Sequence, residues 1–205
     1  MAYANVKLSK SELILVCDEQ FILTKNAVID KVYLLFGALG NHFSSQKEEL
    51  SKVLPKEVLI QSPKIYKGEQ YKKLPYVMLD YPRCFTKDDA FTIRCFFWWG
   101  NFFSITLHLQ GKYAQGYAGT VLNNMQVAGK SDWSVCVNEN KWEHHFGSDN
   151  YLPATKETIV SVYGDSKPFL KIAKKIPLNQ WDGAYDFFVE SYSEILEIIS
   201  TENRR

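Results

Sequence analysis

Two aromatic-rich runs on either side of a Gly-Asn dipeptide constrain the fold of this chain more than any other feature. Residues 91–99 read FTIRCFFWW and residues 102–109 read FFSITLHL, and both runs are rich in the aromatic and β-branched residues that favour strands. Between them, Gly100-Asn101 is a two-residue turn signal. Residues 91–109 therefore predict a β-hairpin around which the rest of the chain is organised.

A two-residue turn assigns every hairpin residue to one of two faces, because it places Trp99 opposite Phe102. The first face then carries Phe91, Ile93, Cys95, Phe97, Trp99, Phe102, Ser104, Thr106 and His108. The second face carries Thr92, Arg94, Phe96, Trp98, Phe103, Ile105, Leu107 and Leu109. Since the second face is almost wholly apolar beyond Arg94, we expect it to pack against helices, and the first face is the less apolar one.

Helices and further strands are predicted on both sides of the hairpin. Residues 11–17 predict a short helix or a buried apolar turn. Apolar spacing predicts longer helices at about 24–43 and from residue 179 or 182 to about 199. Strands are predicted at 74–81, 133–137 and 169–176, with 142–146 returning as the partner of 133–137. The prediction is a single α+β domain over residues 1–205, with a mostly antiparallel sheet centred on the 91–109 hairpin and helices packed on one side.

Charge and length limit the classes of partner. The chain has 205 residues, of which 46% are hydrophobic, so it can bury a substantial core. Its 24 basic and 23 acidic residues nearly cancel, which leaves no global field to hold nucleic acid. No run is long and apolar enough to predict a signal peptide or a membrane span. We expect neither a nucleic acid nor a membrane as a partner.

The four cysteines are widely spaced and form no CxxC pair. This spacing argues against a zinc ribbon and against a disulfide scaffold. Free thiols are typical of a reducing compartment, so the expected localisation is cytoplasmic. No cofactor is indicated. The residues concerned are Cys17, Cys84, Cys95 and Cys136.

The first hypothesis for function is the binding of a small anionic or aromatic ligand at the less apolar sheet face. Arg83 and Arg94 would supply charge, His108 a hydrogen bond, and Trp99 contact area. The structural alternative is an Asp–Arg pair that fixes the chain near Arg83 and Arg94, with Asp80 as one of the carboxylates.

A second hypothesis is a metal-assisted hydrolase that uses His108, Glu143 and His144, with the metal activating a water molecule. Its difficulty is that His144 and His145 would point to opposite faces of a strand. A third hypothesis is a protein-interaction module that pairs through a sheet edge or the C-terminal helix. The sequence leaves open whether the protein is an enzyme and what its oligomeric state is.

Three segments are distinctive: KGEQYKKLPYVMLDYPR at residues 67–83, FFWWGNFFSITLHL at residues 96–109 and WEHHF at residues 142–146. Together they resemble a family of uncharacterised bacterial proteins, and the resemblance covers most of the chain. A shorter segment, YKKLP at residues 71–75, is similar to the YktB-like family of unknown function. Both resemblances imply a compact α+β domain, and neither carries a catalytic residue that can be transferred.

Overall fold

A seven-stranded antiparallel sheet runs through this computed structural model, which describes residues 6–127, 132–163 and 168–200. The strand order is β1-β2-β3-β4-β7-β5-β6. The strands are β1 (Lys64–Tyr71), β2 (Leu74–Phe85), β3 (Ala90–Trp98), β4 (Phe102–Gln110), β5 (Ser134–Cys136), β6 (Tyr151–Pro153) and β7 (Phe169–Pro177). Strands β1 to β4 follow one another as an antiparallel meander, and β2 contains the strand predicted at residues 74–81.

The helices pack mainly on one side of this sheet. They are α1 (Lys10–Val16), α2 (Glu19–Ser45), α3 (Lys47–Val53), α4 (Lys112–Val127), α5 (Lys156–Tyr163) and α6 (Ala184–Ile199), with short 3-10 helices at Lys56–Leu59 and Leu178–Gly183. Helix α2 begins earlier than predicted because Asp18 caps it by accepting from the Phe21 N–H. Within the described ranges, none of the helices has the length and apolarity needed to cross a bilayer.

The predicted register of the central hairpin is wrong by one residue. Trp98, and not Trp99, lies opposite Phe102, so the connection has three residues. Gly100 adopts a φ of +71°, and the Asn101 N–H donates to the Trp98 carbonyl over 3.0 Å. A one-residue shift moves every side chain of one strand to the other face relative to its partner. Each predicted face therefore combines β3 and β4 residues that lie on opposite faces of the sheet.

The observed register has a physical reason, since it places the apolar positions of both strands on the same side. The helix-facing side carries Phe91, Ile93, Cys95, Phe97, Phe103, Ile105, Leu107 and Leu109. In the predicted register half of these residues would have shared a face with Arg94 and Thr92. Hydrophobic burial of about 1.5–3 kcal/mol for each large side chain outweighs the preference for a shorter turn.

The main core lies between this side of the sheet and helices α2, α4 and α6. Phe36 of α2 meets Phe188 of α6 edge to face at 5.6 Å between ring centroids. Phe43 stacks on Tyr192 at 3.9 Å. Helices packed on one side of an antiparallel sheet confirm the predicted α+β fold.

The other side of the sheet, here called the loop-covered face, is covered by residues 137–150, the connection between β5 and β6. We call these residues the covering loop. The strand predicted at 142–146 lies within it and is wrong, because Tyr151–Pro153 pairs with β5 instead. Phe146 packs on Phe102 at 5.1 Å, and the Trp142 ring lies 5.5 Å from that of His108. Connections of this length without a helix or strand are uncommon and are usually functional.

Candidate functional site

A row of polar residues crosses four neighbouring strands on the loop-covered face. Strand pairing places Arg83 of β2 beside Thr92 of β3, Thr92 beside His108 of β4, and His108 beside Lys171 of β7. We call these four residues the polar row. Thr92, His108 and Lys171 are at most 2% exposed. Buried polar side chains need partners, so packing alone does not explain this part of the sheet.

In each of two adjacent members of the polar row, one buried side-chain atom has no hydrogen-bond partner. Thr92 Oγ1 and His108 Nε2 are buried and meet no donor or acceptor in the part of the chain that the structure describes. Leaving such an atom unsatisfied costs about 1–3 kcal/mol. Thr92 and His108 are directly opposed on the sheet face, and such residues have Cβ atoms about 4.5–5.5 Å apart.

A buried ion pair lies beside the polar row. The Nε of Arg94 donates to Asp80 Oδ1 over 2.7 Å, and its Nη2 donates to Asp80 Oδ2 over 2.8 Å. Tyr66 donates its hydroxyl to the same carboxylate over 3.0 Å. This is the structural Asp–Arg pair predicted as an alternative role for Arg94. The two bonds to Asp80 use Nε and Nη2 of the guanidinium, one to each carboxylate oxygen.

Burial and nearby cations keep two histidines neutral. Burial lowers the pKa of His108 well below 6.5, and the positive charges of Lys171, Arg94 and Lys141 lower it further. The pKa of His144 is lowered in the same direction, first by burial and then by Lys171 and Arg94. A further positive charge is therefore disfavoured at these two imidazoles.

Contacts between the sheet and backbone groups of the covering loop hold it in place. Lys171 donates its ammonium group to the carbonyls of Lys141, over 3.1 Å, and Glu143. The hydroxyl of Tyr71 accepts hydrogen bonds from the backbone N–H groups of His144 and His145, over 2.7 and 2.9 Å. The loop is thus fixed over the polar row by two residues that are distant from it in sequence.

Replacing Tyr71 by phenylalanine is expected to loosen the covering loop. The Y71F variant leaves two backbone N–H groups without their acceptor, so we expect a loss of about 1–3 kcal/mol in the free energy of unfolding. Amide hydrogen exchange should become faster at residues 141–146 in particular. The matched control is Y76F in the neighbouring strand, since no hydrogen bond of the Tyr76 hydroxyl occurs in the described structure. Equal exchange rates in Y71F and wild type would contradict the assigned role.

The structure places three of the four predicted ligand-binding residues on one face and separates the fourth. Arg83, Arg94 and His108 lie on the loop-covered face, although the predicted register had put Arg94 and His108 on opposite faces. Arg83 donates its Nε to the Ser62 carbonyl over 3.0 Å. Trp99 packs against the helix-side core, so it makes no contact area for a ligand at Arg94.

Thr92 and Lys171 belong to the site and were missed by the sequence analysis. The correct register would have identified Thr92, because it faces His108 directly. The signal for Lys171 is its position in FLKIA at residues 169–173, where a lysine stands in the middle of an otherwise apolar strand. A lysine at such a position is buried and needs hydrogen-bond acceptors.

Of the three predicted metal ligands, Glu143 lies at the turn between β1 and β2. Its carboxylate accepts from the Tyr71 hydroxyl over 3.0 Å and lies 3.4 Å from the Lys72 ammonium. His108 and His144 are both buried on the loop-covered face. Across residues 6–127, 132–163 and 168–200, no group of three or more His, Cys, Asp or Glu side chains is arranged to hold a metal ion.

Comparison with known proteins adds no functional assignment. No family model matches this chain, and neither a search of curated proteins nor a search of solved structures finds a match. The resemblance to uncharacterised bacterial proteins and to the YktB-like family stays a prediction. The function must therefore be inferred from the geometry of the polar row.

Proposed function

We propose that this protein binds a small anion, of the size of a carboxylate or phosphate group, at the polar row. The observation that carries the proposal is the adjacent pair of buried atoms without partners, Thr92 Oγ1 and His108 Nε2. They lie in the field of Arg94 and Lys171, which lowers the pKa of His108. An oxyanion would accept from both atoms and would offset the surrounding positive charge.

Each member of the site has a defined role in this proposal. The Thr92 hydroxyl donates one hydrogen bond, and neutral His108 donates another from Nε2 in the tautomer that carries its proton there. Arg83 and Arg94 contribute charge. The covering loop keeps water away, which strengthens these interactions.

We also propose that the protein is located in the cytosol, and its cysteines support this localisation. None of the four cysteines forms a disulfide, and Cys95 and Cys136 are buried. Free thiols of this kind are typical of proteins in a reducing compartment.

Calorimetric titration with inorganic phosphate, acetate and succinate tests the proposal directly. We expect saturable binding of at least one of these oxyanions and a parallel rise in thermal stability. At a hundredfold excess over the dissociation constant the gain in unfolding free energy is about 2.7 kcal/mol. Matched chloride at the same ionic strength is the control. Absence of saturable binding by all three probes would refute the proposal for anions of this size.

Replacing Thr92 by valine is expected to raise the stability of the protein and to weaken anion binding. The T92V variant removes a buried hydroxyl without a partner at nearly constant volume, so the ligand-free protein should gain about 1 kcal/mol in unfolding free energy. Anion affinity should fall by about tenfold or more, because a hydrogen bond to a charged group contributes about 1.5–3 kcal/mol.

The matched control for T92V is Y192F. Tyr192 also has a buried hydroxyl without a partner in the described structure, but it belongs to the helix-side core. Y192F should stabilise the protein by a similar amount and leave anion affinity unchanged. If T92V and Y192F bind the anion equally well, the Thr92 hydroxyl is not part of the site.

A further inference from the structure

Three residues of the polar row are sealed from solvent. Thr92, His108 and Lys171 are at most 2% exposed, and the covering loop lies over them on this side of the sheet. A ligand that comes from solution therefore reaches them only when part of this cover moves.

Trp142 of the covering loop connects His108 with the protein surface. Its ring lies 5.5 Å from the His108 ring, and the two planes are inclined by 69°, which is an edge-to-face contact. Trp142 is 47% exposed, whereas His108 is only 2% exposed. A second ring beside His108, that of Phe169 at 6.0 Å, is itself buried on β7. Trp142 therefore covers His108 on the solvent side.

The backbone on both sides of Trp142 is held by hydrogen bonds. Lys171 binds the carbonyls of Lys141 and Glu143, the residues directly before and after the tryptophan. The Trp142 N–H donates to Oδ1 of Asn140 over 3.1 Å, and the Glu143 N–H donates to the Asn140 carbonyl over 3.2 Å. Moving this backbone would break several hydrogen bonds at once, whereas rotating the Trp142 ring breaks none of them.

Only weaker contacts are named between the Trp142 ring and its surroundings. Besides the edge-to-face contact with His108, the Lys141 ammonium group lies 5.2 Å from the ring centroid and donates a hydrogen bond to the side-chain oxygen of Gln110 on β4. A cation–π contact at a half-exposed site is weak, and exposed side chains change rotamer quickly. The ring is therefore the part of the cover that moves at the lowest cost.

We propose that the Trp142 side chain is the gate through which an anion enters and leaves the polar row. This inference rests on the proposed anion site, because it assigns the route to that site. When the ring swings out, the His108 imidazole faces solvent beside the Lys141 ammonium group, which attracts an anion. The charge of Lys141 acts on the same imidazole, since it is one of the causes that lower the pKa of His108.

Labelling with diethyl pyrocarbonate, a small reagent that acylates neutral imidazoles, tests the gate without any anion. The variant is W142A and the matched control is F21A, since Trp142 and Phe21 are both 47% exposed. Peptide mass mapping of the full chain should show that His108 is labelled more than about tenfold faster in W142A than in wild type and F21A. His144, which is buried in the same loop, should keep its wild-type rate.

Phosphorus NMR of inorganic phosphate exchanging with the protein tests the gate with the ligand present. W142A should accelerate association and dissociation by the same factor and leave the dissociation constant unchanged, because the ring obstructs the route in both directions. If phosphate and the other oxyanions fail to bind to wild type, the proposed anion site fails, whereas labelling still decides whether Trp142 closes the way to His108.

Two results would overturn the proposal. The first is equal labelling of His108 in W142A and wild type, which would place the route elsewhere. The second is an equal acceleration at His108 and His144, which would mean that the whole covering loop opens. Amide hydrogen exchange over residues 137–150 should be unchanged in W142A, because the loop backbone keeps its hydrogen bonds. If W142A does not fold, W142F carries the test, and its smaller ring should give a labelling rate between those of wild type and an open site.

Discussion

Replacing Arg94 by methionine should lower the free energy of unfolding by about 3–5 kcal/mol. The change keeps a long side chain but leaves the Asp80 carboxylate buried without its cation, and Asp80 is only 3% exposed. The remaining hydrogen bond from Tyr66 does not compensate a buried charge. Urea unfolding of R94M and wild type at neutral pH measures the loss.

An exposed pair provides the control for R94M. Lys52 and Glu49 are 2.7 Å apart on α3, with side chains 66% and 73% exposed, and K52M should change stability by less than about 0.5 kcal/mol. The double variant D80L/R94M should recover much of the loss, because it removes both buried charges. A loss in R94M as small as that in K52M would mean that Asp80 reaches water or another partner.

The buried pair also fixes the Arg94 guanidinium beside the polar row. Two hydrogen bonds from Arg94 to Asp80 hold the guanidinium plane. Preorganised donors bind without the entropy cost of ordering long side chains. At the proposed site, stability and binding would therefore draw on the same arginine.

The hairpin shows which features local sequence signals predict and which they do not. The strands themselves were predicted correctly from their aromatic and β-branched residues, while the Gly-Asn dipeptide suggested the wrong loop length. The alternation of apolar residues in both strands favours the observed register, and it should have outweighed the turn signal. That correction alone brings Thr92, Arg94 and His108 to one face.

The position of the covering loop and the exposure of helix α1 could not be predicted from local pattern, for two different reasons. Residues 142–146 have the aromatic content of a strand, but Tyr71 and Lys171, both remote in sequence, bind the loop backbone. Helix α1 was predicted, yet a short apolar helix is expected to be buried, and every residue of α1 is exposed. Both features depend on the tertiary structure and not on the local sequence.

Stability should fall steeply as the pH drops below 6.5. The unfolded chain protonates His108 and His144 near this pH, whereas burial and nearby cations hold both neutral in the folded protein. Unfolding then takes up about two protons, and the free energy of unfolding should fall by up to about 2.7 kcal/mol for each pH unit. Above 6.5 the contribution is fully present, since both states are neutral. Urea unfolding between neutral pH and about pH 5, where most carboxylates stay ionised, measures the slope.

Single and double replacements resolve the source of this pH dependence. H108Q and H144Q should each reduce the slope to about 1.4 kcal/mol per pH unit, and the double variant should nearly abolish it. A wild-type slope close to that of the double variant would show that the two imidazoles take up protons in the folded protein as readily as in the unfolded chain. An anion at the polar row would raise the pKa of His108, so saturating phosphate should flatten the slope in wild type and leave H108Q unaffected. The pH dependence of stability thus reports occupancy of the proposed site through a group that the ligand itself would contact.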